Sequence, residues 1–262
     1  MPSLMRRTLR EYRRAVIGWA IGIAAFVAIY VGYYAQIKKN PNLVNPDSVP
    51  KGMRDFIGVA DFSSAVGYLQ GSVYGLLGPL LLIMFAAMLG TRGVAGPEES
   101  GVLDLLMSNP IGRRRFIAER FSAFAALVIA VGLVPWLLVL GYDNGLDMGI
   151  SGANVSAASL GLLLLTLVFG TLAFAVGAAT GSRSTALAVT GAVAVVTYLI
   201  RSLGNVSASV RPLRWLSPFH YYLGGDPLNN GFQVGYLLVM VAIVAALVVS
   251  GLVIFERRDL GV

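Results

Sequence analysis

An all-α membrane fold of six transmembrane helices is the architecture this sequence predicts, and three observations carry the prediction. The 262 residues are 56% apolar and only 13% charged, about half the charge of an ordinary soluble domain. Their mean hydropathy is +0.75. The apolar residues also gather into six continuous runs close to the roughly 17–25 residues that a bilayer-crossing helix needs. The alternating pattern of a membrane barrel is absent.

The runs are residues 16–34, 73–89, 121–140, 157–180, 185–200 and 234–255. The first is too long for the apolar core of a cleaved signal peptide and has no small-residue cleavage site after it. The second contains Gly75, Gly78 and Pro79, and the third contains Pro135. Both are expected to bend, because proline removes a helical donor and neighbouring helices must satisfy what it frees. The fifth is short and is expected to lean on Arg183 and Arg201 snorkelling at its two ends. Gly18 with Gly22, and Gly177 with Gly181, have the small-xxx-small spacing that lets helices approach closely.

Orientation follows from the basic residues. With both termini in the cytoplasm, 13 of the 20 Lys and Arg lie inside, among them Arg6 to Arg14, Arg92, Arg113–Arg115, Arg120, Arg183, Arg257 and Arg258. The acidic residues divide almost evenly, so Lys and Arg set the bias, as the positive-inside rule requires. The net charge of +7 is therefore read as cytoplasmic loops and not as a nucleic-acid surface. The chain reads as one domain over residues 1–262.

Residues 4–14 suit either a short interfacial helix or a plain positive topology signal. Outside, after turns at Asn40–Pro41 and Asn45–Pro46, Met53, Phe56, Ile57 and Ala60 fall at helical spacing. This predicts an amphipathic helix on the outer surface. The connection 141–155 is short and Gly-rich, and its Asp143 and Asp147 read as a solvated turn and not as a cation site. The outer loop 201–233 carries Trp215, Phe219, Tyr221 and Tyr222 around Pro212 and Pro218. Two readings stand: an aromatic belt at the headgroups, or a pair of short helices that dip back toward the membrane and close a pathway.

The cytoplasmic loop 91–120 holds the most information. Ser100 is a plausible N-cap, Gly101–Ser108 allows two helical turns, and Pro110 stops them. Leu103, Leu106 and Met107 share one face and Asp104 and Ser108 another, as in a short amphipathic helix that lies on lipid or docks in a partner's groove. The adjacent Glu98 and Glu99 argue against simple binding to anionic headgroups.

Here the sequence resembles the type-2 ATP-binding-cassette (ABC) permeases, the membrane subunits of bacterial exporters. Their pattern after the second of six spans is an acidic stretch, Gly-Thr-Leu-Asp/Glu-Leu-Leu, then Pro-x-Ser-Arg. Glu98, Glu99, Gly101, Leu103, Asp104, Leu105, Leu106, Pro110 and Arg113 match it residue by residue. Val102 replaces the usual Thr, Gly112 the usual Ser, and Arg120 stands near a customary Lys. Ser63–Leu69, Trp215–Tyr221 and Phe255–Leu260 are similar to further family segments, so the likeness runs along essentially the whole chain.

The resemblance implies that the short helix after Glu99 is a coupling element seated on a separate cytoplasmic ABC ATPase, present in two copies. It implies a second permease, identical or related, around a central pathway, with re-entrant helices near Trp215, Phe219, Tyr221 and Tyr222 acting as an outer gate. ATP and Mg would bind the partner, with no cofactor or metal in this chain. Sequence chemistry agrees with a chain that is not itself an enzyme. Lys38, Lys39 and Lys51 are its only lysines and none follows a G-x-x-x-x-G, so a P-loop is ruled out. There is no cysteine and one histidine, and no G-x-S-x-G or H-E-x-x-H. None of the six apolar runs carries a charge away from its ends, which disfavours ion-coupled transport. The reading is an exporter of amphipathic drug-, antibiotic- or lipid-like molecules; the alternative is a membrane scaffold or sensor that transports nothing.

Overall fold

A computed structural model describes residues 4–40, 50–58, 62, 64–101, 112–146 and 148–258. Six helices among them are long and apolar enough to cross a membrane, and no strand occurs in the described residues. The basic residues name the two ends of the bundle, cytoplasmic and outer.

Helix α1 spans Leu4–Lys39 without a break, about 54 Å at roughly 1.5 Å per residue. The stretch 4–14 is thus not a separate interfacial helix but the first turns of the first span, which agrees with its reading as a positive topology signal. It carries the first span past the hydrocarbon, into a zone where arginines meet water. After α2 (Lys51–Ile57), the second span begins at Ala65, eight residues earlier than hydropathy predicts. It consists of α3 (Ala65–Leu69), a π-helical turn over Gln70–Tyr74 and α4 (Leu77–Thr91). The interruption falls at the Gly75–Pro79 group. Pro79 has no N–H to offer, and a Cβ on Gly75 or Gly78 would strike the carbonyl oxygen of Gln70 or Val73. The widened turn brings carbonyls against positions where glycine has no Cβ to clash, just ahead of a proline that cannot donate to the turn before it.

A five-residue helix, α5 (Ala95–Glu99), follows on the cytoplasmic side. The third span, α6 (Arg113–Leu146), passes unbroken through Pro135. It continues six residues past the predicted end, so most of the supposed loop 141–155 is helix. Asp147 and the side chain of Asp143 lie outside the described residues. The fourth span is α7 (Gly152–Thr180) and the fifth α8 (Arg183–Val206). A 3₁₀ turn (Arg211–Leu216), α9 (Pro218–Leu223) and α10 (Pro227–Asn230) precede the sixth span, α11 (Val234–Arg257).

Helix α7 is the hub. In its most apolar stretch 78% of residues are buried, against 17% in α1, 22% in α8 and 11% in α11. The outer three therefore present apolar faces to lipid or to a partner. Helices in lipid gain little from hydrophobicity as such and associate through close packing. One close approach here uses one glycine from each of two helices. A Cβ on Gly170 would lie 2.6 Å from Phe124 and 2.8 Å from Ala86, and a Cβ on Gly90 would meet the Gly170 carbonyl. A Cβ on Gly18 or Gly22 would meet nothing within 4 Å outside its own helix backbone.

Arg201 corrects the snorkelling expectation. Its side chain is buried, at 5% exposure, and its Nη1 donates to the Ile57 carbonyl at 3.0 Å. Helix α2 is a surface helix with no buried residue, and it rests on α8 with Phe56 edge-on to Tyr198 at 6.4 Å. Ala60 lies outside the described residues.

Candidate coupling surface and outer gate

At the cytoplasmic end, two adjacent acids tie α5 to distant parts of the chain. Glu98 receives Arg258 in a fork, Nη2 to Oε1 at 2.5 Å and Nη1 to Oε2 at 3.0 Å. Its carboxylate fits because Gly181 ends α7 in the left-handed conformation, φ 67°. A Cβ at Gly181 would collide with that carboxylate and stand 2.7 Å from Arg258. Glu99 accepts the backbone N–H of Arg183 at 2.7 Å and pairs with the Arg183 guanidinium at 3.4 Å. An acid at this first turn also complements the positive end of the α8 dipole.

The far flank of the loop meets the same place. Arg113 Nη1 donates to the carbonyls of Glu256 and Arg258, at 3.3 and 3.1 Å. Arg114 forms a two-bond pair with the Glu256 carboxylate, one bond short and one of 3.1 Å. Beneath them Phe116 stacks on Phe255 at 6.4 Å, in a small apolar cluster with Val94, Ile117 and Phe174. Both flanks of residues 102–111 are therefore fastened to the last turn of the sixth span and the residue after it. Gly101 takes φ 67°, a conformation that favours glycine, which gives the family-matched glycine a backbone reason. Leu103, Asp104, Leu105, Leu106 and Pro110 lie outside the described residues.

At the outer end the four aromatic candidates divide. Phe219 and Tyr222 are buried inside the bundle, at 3% and 2% exposure. Phe219 packs on Phe169 at 5.5 Å and edge-on to Tyr198 at 5.3 Å. The Tyr222 hydroxyl donates to the Tyr74 carbonyl at 2.9 Å, in the π-helical turn where regular pairing is disturbed. The Tyr74 hydroxyl shares a 2.8 Å hydrogen bond with Ser159. Gly161 makes room, since a Cβ there would stand 3.0 Å from the Tyr222 ring. Trp215 and Tyr221 stay at the rim, joined by a 2.7 Å bond from the Tyr221 hydroxyl to the Trp215 carbonyl and by edge contacts with Tyr236. Ser217 Oγ donates to the Thr197 carbonyl at 2.7 Å. Asn154 Nδ2 donates to the Leu228 and Asn229 carbonyls at 2.9 and 3.0 Å. The short helices are thus pinned into the bundle between α7 and α8, which a headgroup belt does not require.

The family model described as ABC-2 family transporter protein matches residues 3–260. The chain belongs to that family. No individually curated protein matches it. The ABC-2 match makes the chain the multi-pass membrane subunit of an ABC transporter, a permease, and implies association with an ATP-binding subunit. Sequence reasoning missed Arg183, Glu256 and Arg258 as partners of the cytoplasmic loop 91–120. The only advance signal was the charged Phe255–Leu260 stretch, whose role needs contacts across more than a hundred residues of sequence.

Proposed function

We propose that this ABC-2 permease is the membrane subunit of an ATP-driven exporter. It works with a second permease and two copies of a cytoplasmic ATPase, and residues 102–111 form the seat. Carrying the reading most is the convergence of both flanks of that segment on residues 256–258. A push on the seat moves the sixth span through Arg258 and Arg113, and the α7–α8 turn through Glu98 and Glu99. ATP and Mg would act on the partner, and this chain's part is mechanical. Helices α9 and α10 close the outer end, and closure depends on how deeply Phe219 and Tyr222 sit. The substrate class that suits a pathway walled by apolar spans is amphipathic, drug- or lipid-like.

The test is co-expression with candidate ATPases, purification of the complex and export assays in vesicles. An ATPase that copurifies and drives export of an amphipathic dye supports the proposal. Binding without ATP-dependent movement of any amphipathic compound, or hydrolysis that drives uptake, contradicts it.

A further inference from the structure

A cavity of about 350 Å³ opens among α2, the π-helical turn, the end of α8 and the short outer helices. Its wall carries three arginines, Arg54, Arg201 and Arg214, with His220, Asp55 and Asp226. None of the three guanidiniums lies within ion-pair distance of a described carboxylate. Arg201 is buried, with one bond to a carbonyl. Arg54 Nε, Arg214 Nε and His220 Nε2 are buried without a hydrogen-bond partner. On the acceptor side Asp226 Oδ2 takes a 2.7 Å bond from Asn229, while Oδ1 has none.

Burying a guanidinium without a counter-charge is costly, and here donors outnumber acceptors. The backbone is shaped around this excess. Gly58 holds φ 80°, and any side chain on it would stand 2.8 Å from Arg201 Nη2. Asp226, at φ 48°, is the one non-glycine with positive φ among the described residues, and such strain persists where surroundings enforce it. Trp215 meets His220 at 4.7 Å and Arg214 at 5.7 Å, so an aromatic ring backs two of the residues that line the cavity.

We infer that this outer cavity is a binding site for a phosphate-class oxyanion, held by Arg201 from below and by Arg54 and Arg214 from the sides. Planar guanidinium forks match such oxygens and bond them strongly. The anion arrives either as a soluble phosphate compound or as a phospholipid headgroup. This assignment stands apart from the direction of transport.

Trp215 is the local reporter. In full-length protein carrying Trp19→Phe and Trp136→Phe, reconstituted in phosphatidylcholine vesicles, its fluorescence is followed during addition of inorganic phosphate at constant ionic strength. A second arm replaces part of the phosphatidylcholine with phosphatidylglycerol. A saturable response to phosphate identifies a soluble ligand, and a response to phosphatidylglycerol alone identifies a headgroup; both support the inference. Arg201→Gln and Arg54→Gln should each weaken the response about tenfold or more, and Arg115→Gln should leave it unchanged. Arg54 sits on a short peripheral helix, so its variant carries the test if Arg201→Gln fails to fold. No response in either arm, an equal response to chloride, or full responses in both Arg201→Gln and Arg54→Gln would overturn the inference.

Discussion

The two ends of this permease are held by different physics. At the outer end, Phe219 packs against the rings of Phe169 and Tyr198, Tyr222 is buried, and neutral hydrogen bonds run from Tyr222 to Tyr74 and on to Ser159. At the cytoplasmic end the ties are charged and wetter. Side-chain exposure is about a quarter in the Glu98–Arg258 pair and 42% on both sides of Glu99–Arg183. Exposed pairs are worth about 0–1 kcal/mol each, whereas truncating a buried aromatic costs about 3–5 kcal/mol. An end built of many weak charged ties can be remade during a transport cycle. An end built on buried rings moves only as a unit. The difference suits the proposed roles, a seat that would receive force and a gate that would resist leakage.

The largest expected effect is therefore outside. Phe219→Ala should destabilise the detergent-solubilised protein by about 3–5 kcal/mol and open a substrate leak in vesicles with the ATPase still bound. Wild-type melting and wild-type retention of substrate would return Phe219 to the role of a belt residue. Next comes reversal of charge at the seat. Glu99→Lys with Asp104→Lys should weaken ATPase association on the order of a hundredfold, through like-charge placement at a docking surface, while the six spans still insert. Unchanged affinity would count against the proposed seat at residues 102–111 and its acidic flank.

Salt separates the two ends more gently. Raising ionic strength from about 0.1 M to 1 M shortens the screening length from about 10 Å to about 3 Å. Hydrogen exchange should accelerate in α5 and around Arg183 and stay constant in α9. Equal acceleration at both ends would erase the contrast.

How much of this was visible in the sequence depended on the range of the interaction. All six spans were legible, because long apolar runs have no other stable use. Their ends were not. Hydropathy stops where lipid stops, but helix ends are set by hydrogen bonds and caps, so α1 continues through Arg6–Arg14 and α6 through Gly141–Leu146. Arg201 at the end of a run looked like a snorkelling residue, and only the fold-back of Ile57, 144 residues away, reveals it as buried. Glycine spacing within one helix pointed to Gly18 with Gly22 and to Gly177 with Gly181; Gly177 does face Ala95 and Ala186, whereas the approach of Gly90 to Gly170, on separate helices, has no such spacing to announce it. Glu98 and Glu99 were recognisable from the family pattern, but their partners were not, since nothing local links them to Arg258 and Arg183. The buried half of the aromatic set, Phe219 and Tyr222, could not be told from the rim half by composition.

The smallest effect is a pH dependence at His220. Burial first, then Arg214 and Arg201, lower its pKa from the ordinary 6.5; Asp55 and Asp226 line the same cavity. The neutral imidazole is favoured in the fold, so the unfolded chain binds the extra proton first. Stability is complete above pH 6.5 and falls as pH drops from there toward the lowered value, then levels off. Melting curves at pH 7.5 and pH 5.5 should show a modest loss that His220→Gln abolishes. A loss of equal size in His220→Gln would assign it to other groups.

The central claim is that force from the ATPase reaches the spans through the charged ties around residues 102–111. Its most direct test is a charge swap scored by substrate exported per ATP hydrolysed in reconstituted vesicles. Glu98→Arg and Arg258→Glu should each lower that ratio severalfold, because each places like charges in the space beside Gly181. The double variant should recover most of it by restoring the pair in reverse. Single variants that export with the wild-type ratio, or a double variant no better than the worse single, would contradict the account.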